Sequence, residues 1–99
     1  MKVVWTEAAE DDLADIYRYY ARQSGSAAIA KKVNRVIVKA GDGLYLFPRM
    51  GRIGHYPGTR ERFTARYNYR IVYEIIEADQ IINILRVIHG SRQWPPIEE

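Results

Sequence analysis

The fold is decided by residues 60–94, which read RERFTARYNYRIVYEIIEADQIINILRVIHGSRQW. Two apolar runs within this stretch, Tyr69–Ile76 and Ile81–His89, are rich in the isoleucine, valine and tyrosine that strands favour. The polar segment Glu77–Gln80 between them has the length and composition of a hairpin loop. Upstream, polar and apolar side chains alternate within Glu61–Arg66 with the period of a strand. The stretch therefore predicts a three-stranded antiparallel meander.

The same alternation predicts which face of the meander is buried. If Tyr67, Asn68 and Tyr69 form the first turn, Arg62 lies opposite Glu74. The predicted core face is apolar and comprises Phe63, Ala65, Ile71, Tyr73, Ile75, Ile82, Ile84 and Ile88. The predicted open face is polar and comprises Arg62, Thr64, Arg66, Arg70, Glu74, Asn83 and His89. A slip of one residue would bury three arginines, so we expect a basic open face.

The first half of the chain has helical periodicity after a short strand. Val3–Trp5 is an apolar run that predicts a first strand, and Thr6 is a suitable N-cap for the helix that follows. Apolar residues recur at helical spacing from Ala9 to Tyr20 and again from Ile29 to Phe47. The connection between the two helices is short enough to require an antiparallel αα-hairpin. The order of elements predicts an α+β fold, with an N-terminal strand and the αα-hairpin packed on one face of a small antiparallel β-sheet.

Length and composition restrict the class of protein. A chain of 99 residues predicts one domain, residues 1–99, and an apolar content of 47% predicts that it folds. The absence of cysteine excludes disulfides and cysteine-based zinc sites. The N-terminus does not resemble a signal peptide, and no apolar run approaches the roughly 20 residues of a membrane span. We therefore expect a soluble cytoplasmic protein that does not enter a membrane.

The charges are distributed unevenly. The net charge is +3, but residues 7–15 hold five acidic side chains and residues 49–70 hold six arginines and one glutamate. A local basic patch suits a polyanion or an acidic partner, whereas the alternative is an arginine-rich surface that is merely solvated. No metal-binding or phosphate-loop motif is present, and the two histidines, His55 and His89, are far apart in sequence. We therefore expect no metal and no cofactor.

Four arginines are the candidate site residues. Arg62, Arg66 and Arg70 fall on adjacent predicted strands, and Arg92 follows the last strand, where it could close the same groove. Guanidinium groups bind phosphate oxygens and stabilise charge that develops on phosphorus. Cleavage of RNA would also require a proton acceptor, for which His89 is the nearby candidate. The structural alternatives are that Arg62 pairs with Glu74 across the strands and that His89 is a packed side chain at a strand end.

Several segments together carry a family resemblance that spans nearly the whole chain. They are Trp5–Thr6, FPRMGRIG at 47–54, GTRERF at 58–63, YRIVYEI at 69–75 and ILRVIHGSRQWP at 84–95, the last being the most specific. This pattern resembles the RelE/ParE superfamily of toxins from bacterial type II toxin–antitoxin modules, and the ParE-like branch more than the RelE-like branch. The resemblance implies the αα-hairpin and sheet fold described above and a cognate antitoxin that neutralises the toxin.

The resemblance implies one of two activities. A ParE-like toxin poisons DNA gyrase without turnover, and its contacts with the target or the antitoxin would come from Arg62, Arg66, Arg70, Arg92 and Trp94. A RelE-like toxin is a metal-independent endoribonuclease that cuts mRNA on the ribosome. In that case Arg70 and Arg92 match its catalytic arginines, and His89 would replace the C-terminal tyrosine or histidine that this chain lacks. A third hypothesis, from the charge alone, is a basic nucleic-acid-binding module.

Overall fold

The computed structural model describes residues 1–96, which form two helices against a five-stranded sheet. The elements are β1 Lys2–Trp5, α1 Glu7–Ser24, α2 Ala27–Asp42, β2 Arg52–Ile53, β3 Thr59–Phe63, β4 Tyr69–Ile76 and β5 Ile81–His89. The strand order is β1-β5-β4-β3-β2. The predicted α+β class is confirmed. The sheet is mixed because β1 pairs with β5 in parallel, whereas the other neighbours are antiparallel.

Side-chain caps define the αα-hairpin. The Thr6 hydroxyl accepts a hydrogen bond from the Ala9 N–H, as predicted for the start of α1. Gly25 ends α1 in the left-handed conformation, with φ of 66°. The hydroxyl of Ser26 then accepts from the Ile29 N–H at the start of α2. Because one helix ends and the next is capped within two residues, the helices fold back on each other.

The hydrophobic core lies between the helices and one face of the sheet. Its buried members include Ile16 of α1, Val33 and Ile37 of α2, Tyr69, Ile71 and Tyr73 of β4, and Ile82, Ile84 and Val87 of β5. Trp5 of β1 packs against Gly41, and its indole N–H donates to Asp42 Oδ1 at 2.8 Å. The N-terminal strand is therefore fixed to the C-terminal end of α2.

The loop between β3 and β4 is longer than predicted. The Tyr69 N–H donates to the Thr64 hydroxyl at 2.9 Å, and the Thr64 N–H donates to the Tyr69 carbonyl at 2.8 Å. These bonds close a loop of residues 65–68. Asn68 is left-handed, as expected, with φ of 53°, and Tyr67 is left-handed as well, with φ of 67°.

This loop changes the register of β3 by an odd number of residues and exchanges its two faces. Arg62 lies opposite Ile71 on the helix side, and Phe63 lies opposite Arg70 on the far side of the sheet. The prediction that Phe63 belongs to the core face and Arg62 to the open face is therefore wrong. Ala65, also assigned to the core face, is exposed in the loop.

A β-bulge at Leu85 shifts the end of β5. The pairs on its two sides are Tyr73 with Ile84 and Val72 with Arg86. Beyond the bulge Val87 enters the core, whereas Ile88, which was predicted there, lies on the far face opposite Arg70. His89 lies opposite Tyr69, on the helix side, and not on the predicted open face.

The far face of the sheet is not an open basic surface. Three of its side chains are buried, namely Glu61, Val72 and Ile88. The loop before β3 reaches this face, since the His55 N–H donates to Glu61 Oε2 at 3.3 Å. The turn after β5 reaches it as well, since the Trp94 ring lies 5.8 Å from that of Tyr56 and 5.9 Å from the Arg86 guanidinium. The predicted basic open face is replaced by a partly covered one.

Neither helix within residues 1–96 combines the length and the apolar character that crossing a membrane requires.

Candidate functional site

Arg62 and Arg66 have separate local roles. Arg62 Nη1 donates to the Ala40 carbonyl at 2.6 Å, near the end of α2, where a cation complements the helix dipole. The predicted pairing of Arg62 with Glu74 is not formed. Arg66 is exposed in the β3–β4 loop, and its guanidinium lies 5.2 Å from the centre of the Tyr67 ring.

Arg70 is largely buried in a charged cluster on the far face of the sheet. Its side chain is 11% exposed, and its Nε lies 3.3 Å from Oε1 of Glu61, which is 5% exposed. Arg52 Nη2 approaches the same oxygen at 3.4 Å. The two guanidiniums also lie over the Phe63 ring, at 5.1 Å for Arg70 and 4.9 Å for Arg52. The charge of Arg70 is therefore compensated within the fold.

His89 and Arg92 lie at a cleft on the opposite side of the sheet from Arg70. The cleft has a volume of about 400 Å³ and separates α1 from the end of β5; its other lining residues are Asp12, Asp15, Ile16, Tyr19, Tyr20, Tyr69, Val87 and Ser91. His89 Nδ1 accepts a hydrogen bond from the Ser91 N–H at 3.1 Å. The His89 ring packs edge-on against Tyr69 at 5.1 Å. Arg92 is exposed at the rim.

Several titratable groups around the cleft form hydrogen bonds or ion pairs with other residues of the protein. Burial, with a hydrogen bond to Tyr20, raises the pKa of Tyr69, so this phenol keeps its proton to a more alkaline pH than an exposed tyrosine does. Asp12 accepts from Arg86 Nε at 2.8 Å and from Nη2 at 3.1 Å, which raises the pKa of Arg86. The same carboxylate accepts from the Val87 N–H at 2.8 Å. Asp12 therefore holds α1 against the edge of β5.

The predicted arginine groove is not formed. Arg62 lies on the helix side near α2, Arg70 lies under the far face, and Arg92 lies beside α1. His89 and Arg70 come from opposite faces of the sheet, since Arg70 pairs with Ile88 in the register. Trp94 is half-buried on the far face, where it contacts Tyr56 and Arg86.

Exposed apolar side chains are concentrated in the segment that runs from the end of α2 through β2. These side chains, named here the 45–53 apolar cluster, are Tyr45, Leu46, Phe47, Met50 and Ile53, with Ile53 77% and Phe47 68% exposed. The Tyr73 hydroxyl fixes this loop from below, because it donates to the Pro48 carbonyl at 2.7 Å and accepts from the Gly51 N–H at 2.9 Å. Leu46, Phe47 and Met50 border one shallow concavity, and exposed apolar patches mark interaction sites. This patch was not predicted from the sequence, because Phe47 continues the apolar spacing of the preceding helix and was predicted to belong to it.

Within residues 1–96, no group of three or more histidine, aspartate and glutamate side chains is arranged to hold a metal ion.

The family model described as ParE toxin of type II toxin–antitoxin system, parDE, matches residues 3–94. The chain belongs to the ParE toxin family. It is 32% identical over 99 residues to Y4kP, a candidate toxin of Sinorhizobium fredii, an alignment that covers 97% of this chain and 95% of Y4kP. The resemblance to the RelE/ParE superfamily, with ParE as the nearer branch, is thereby confirmed.

Solved structures support the ParE branch as well. The chromosomal ParDE toxin–antitoxin system from P. aeruginosa matches with a TM-score of 0.84 at 27% identity, covering 92% of this chain and 97% of that chain. The RelBE2 toxin–antitoxin complex from Mycobacterium tuberculosis matches with a TM-score of 0.60 at the same 27% identity, covering 89% and 95%. At equal identity, this ParE-family chain is therefore closer in shape to the ParDE structure.

Proposed function

We propose that this chain is the toxin of a type II toxin–antitoxin pair and that it arrests growth by poisoning DNA gyrase. The observation that carries the proposal is the match to the ParE family over residues 3–94, together with the closer structural likeness to a ParDE system than to a RelBE complex. A cognate antitoxin is the partner that would neutralise it.

The placement of the predicted catalytic residues supports action by binding. A ribonuclease that works without a metal needs a proton acceptor and phosphate-stabilising groups within hydrogen-bond reach of one substrate. His89 faces the cleft beside α1, whereas Arg70 is held by Glu61 on the other face of the sheet. Arg92 lines the same cleft as His89, but Arg70 does not reach it, so the three predicted catalytic side chains do not converge on one phosphate, and this geometry argues against the alternative of mRNA cleavage.

The 45–53 apolar cluster is the contact surface that suits a protein partner best. It offers aromatic and aliphatic anchors, and the exposed Arg49 and Arg52 lie beside them. Arg49 pairs with Glu77 and Arg52 with Glu61, so an amphipathic antitoxin segment would bury the apolar side chains, and its acidic residues would share the two arginines with these carboxylates. If gyrase uses the same surface, an antitoxin seated there excludes gyrase directly.

The test combines purified toxin, DNA gyrase, ATP and supercoiled plasmid. We expect cleaved DNA to accumulate and supercoiling to be lost. Leu46→Ser, within the cluster, should abolish the effect, whereas Ile29→Ser should retain it, since Ile29 is an exposed aliphatic residue on α2. Active gyrase that is unaffected by folded toxin overturns the proposal, and cleavage of mRNA on programmed ribosomes would replace it with the nuclease.

A further inference from the structure

The outward face of α2 carries a row of cations. Its members, named here the α2 basic stripe, are Lys31, Lys32, Arg35 and Lys39, all of them exposed. The inward face of the helix is buried and consists of Ala30, Val33, Ile37 and Gly41. At about 100° per residue, the four cations fall within an arc of about 100°, and at about 1.5 Å per residue they extend over roughly 12 Å.

Within residues 1–96, the charges of the stripe are not compensated by ion pairs. None of the ion pairs in the part of the chain that the structure describes involves a member of the stripe. One acidic residue, Asp42, shares the arc, but it lies at the C-terminal end of α2, where it accepts a hydrogen bond from Trp5. The arginines discussed above differ in this respect, because Arg52, Arg70 and Arg86 each have a carboxylate partner.

The composition of the stripe identifies the kind of partner. Interfaces between proteins are built around apolar and aromatic anchors and are depleted in lysine. Three of the four cations are lysines, and the other members of the arc are the small Ala28 and the terminal Asp42. Lysine and arginine at regular spacing, without an apolar centre, are typical of contacts to phosphates. We propose that the α2 basic stripe binds the phosphate backbone of duplex DNA.

The role of this contact rests on the proposed function, because gyrase acts on duplex DNA. The 45–53 apolar cluster begins three residues after α2 ends at Asp42. The protein-binding cluster and the DNA-binding stripe are therefore consecutive along the chain. A toxin that holds gyrase through the first and the DNA through the second would stabilise the complex of the two, in which the DNA is cleaved.

The experiment measures binding to a short fluorescein-labelled DNA duplex by anisotropy, without gyrase, at salt concentrations from about 50 to 200 mM. Wild-type toxin should bind with an affinity that falls steeply with salt. The double variant Lys31→Gln with Arg35→Gln removes two phosphate contacts, so the slope of log K against log salt should become shallower by about 1.8. The matched control, Lys2→Gln with Arg22→Gln, changes the same charges at exposed positions outside the stripe and should keep the wild-type slope.

Two results would overturn the inference. One is no binding by the wild-type protein at low salt, and the other is equal weakening in both double variants, which would mean that only net charge matters. Thermal melts establish that both variants are folded. Because no gyrase is present, the outcome is independent of the gyrase proposal. Duplex binding through the stripe by a toxin that leaves gyrase unaffected would retain the DNA contact and remove gyrase as the target.

Discussion

Arg70 Nε lies 3.3 Å from Glu61 Oε1 on the far face of the sheet, and 5% of the Glu61 side chain and 11% of the Arg70 side chain are exposed. The carboxylate compensates a guanidinium that has little access to water. We expect Glu61→Ala to lower the free energy of unfolding by about 3–5 kcal/mol, because it leaves a buried charge unpaired. Urea denaturation measures the loss.

The control for Glu61→Ala is Asp15→Ala. Asp15 pairs with Arg18 on the surface of α1, where both side chains are more than half exposed. Removing this partner should change the free energy of unfolding by less than about 1 kcal/mol. Similar small losses in the two variants would mean that Arg70 is solvated and that its charge is free for a partner.

Two glycines near the end of α2 should respond differently to alanine. A Cβ at Gly41 would lie 2.6 Å from Trp5 Cη2 and 2.9 Å from Ile84 Cδ1, so Gly41→Ala should destabilise by about 1–3 kcal/mol. A Cβ at Gly43 would come no closer than 3.7 Å to Arg62 Nη1, at a φ of −70° that alanine accepts. Gly43→Ala should therefore be neutral or stabilise by up to about 1 kcal/mol. Thermal melts followed by circular dichroism compare the two, and equal effects would contradict the packing of Trp5 on Gly41.

Stability should fall at alkaline pH. Burial raises the pKa of both Tyr69 and Tyr73 above the unfolded value near 10. The folded chain thus holds protons that the unfolded chain releases. The stabilisation is complete below about pH 10 and is lost as pH rises further. Urea unfolding from pH 8 to pH 11 should give a smaller decline for Tyr69→Phe than for the wild type, whereas Tyr45→Phe, at an exposed position, should leave the decline unchanged.

The His89→Ala variant distinguishes a toxin that acts by binding its target from one that acts as a ribonuclease. General acid–base catalysis contributes about 10²–10⁴-fold, so a nuclease that relies on His89 would lose its toxicity. We expect growth arrest on induction to persist, because a toxin that acts by binding its target needs no proton acceptor at His89. Loss of arrest in a variant that melts as the wild type does would favour the nuclease.

The helices, the three long strands and the family were predictable because each depends on local pattern. The register of β3 was not, because it depends on the Thr64 hydroxyl, which pairs with the Tyr69 N–H and closes a loop of four residues instead of three. The β-bulge at Leu85 could not be predicted from the sequence either. Six of the nine residues in Ile81–His89 are apolar, and the polar ones, Asn83, Arg86 and His89, are spaced three apart and do not alternate, so the pattern does not fix one phase for the whole strand.

The candidate site was harder to predict than the fold. The arginines were grouped from a register that proved wrong, and their ion pairs depend on contacts between distant segments. The 45–53 apolar cluster has the residue types of a core, and only its exposure distinguishes it. A strand of two residues, such as Arg52–Ile53, is too short to show the polar–apolar alternation from which strands are predicted.

The pairing of β1 with β5 has a consequence for synthesis. Thr6 bonds to the carbonyl of Ile84, 78 residues later, and the whole of β1 aligns with Ile81–Ile84. At about 5–20 residues per second, the first strand leaves the ribosome several seconds before its neighbour does. During that interval the helical hairpin can form, but the sheet that supports it cannot close. A translation product that stops before Ile81 leaves β1 without the strand with which it pairs, so the folded form cannot be completed until Ile81–His89 has been synthesised.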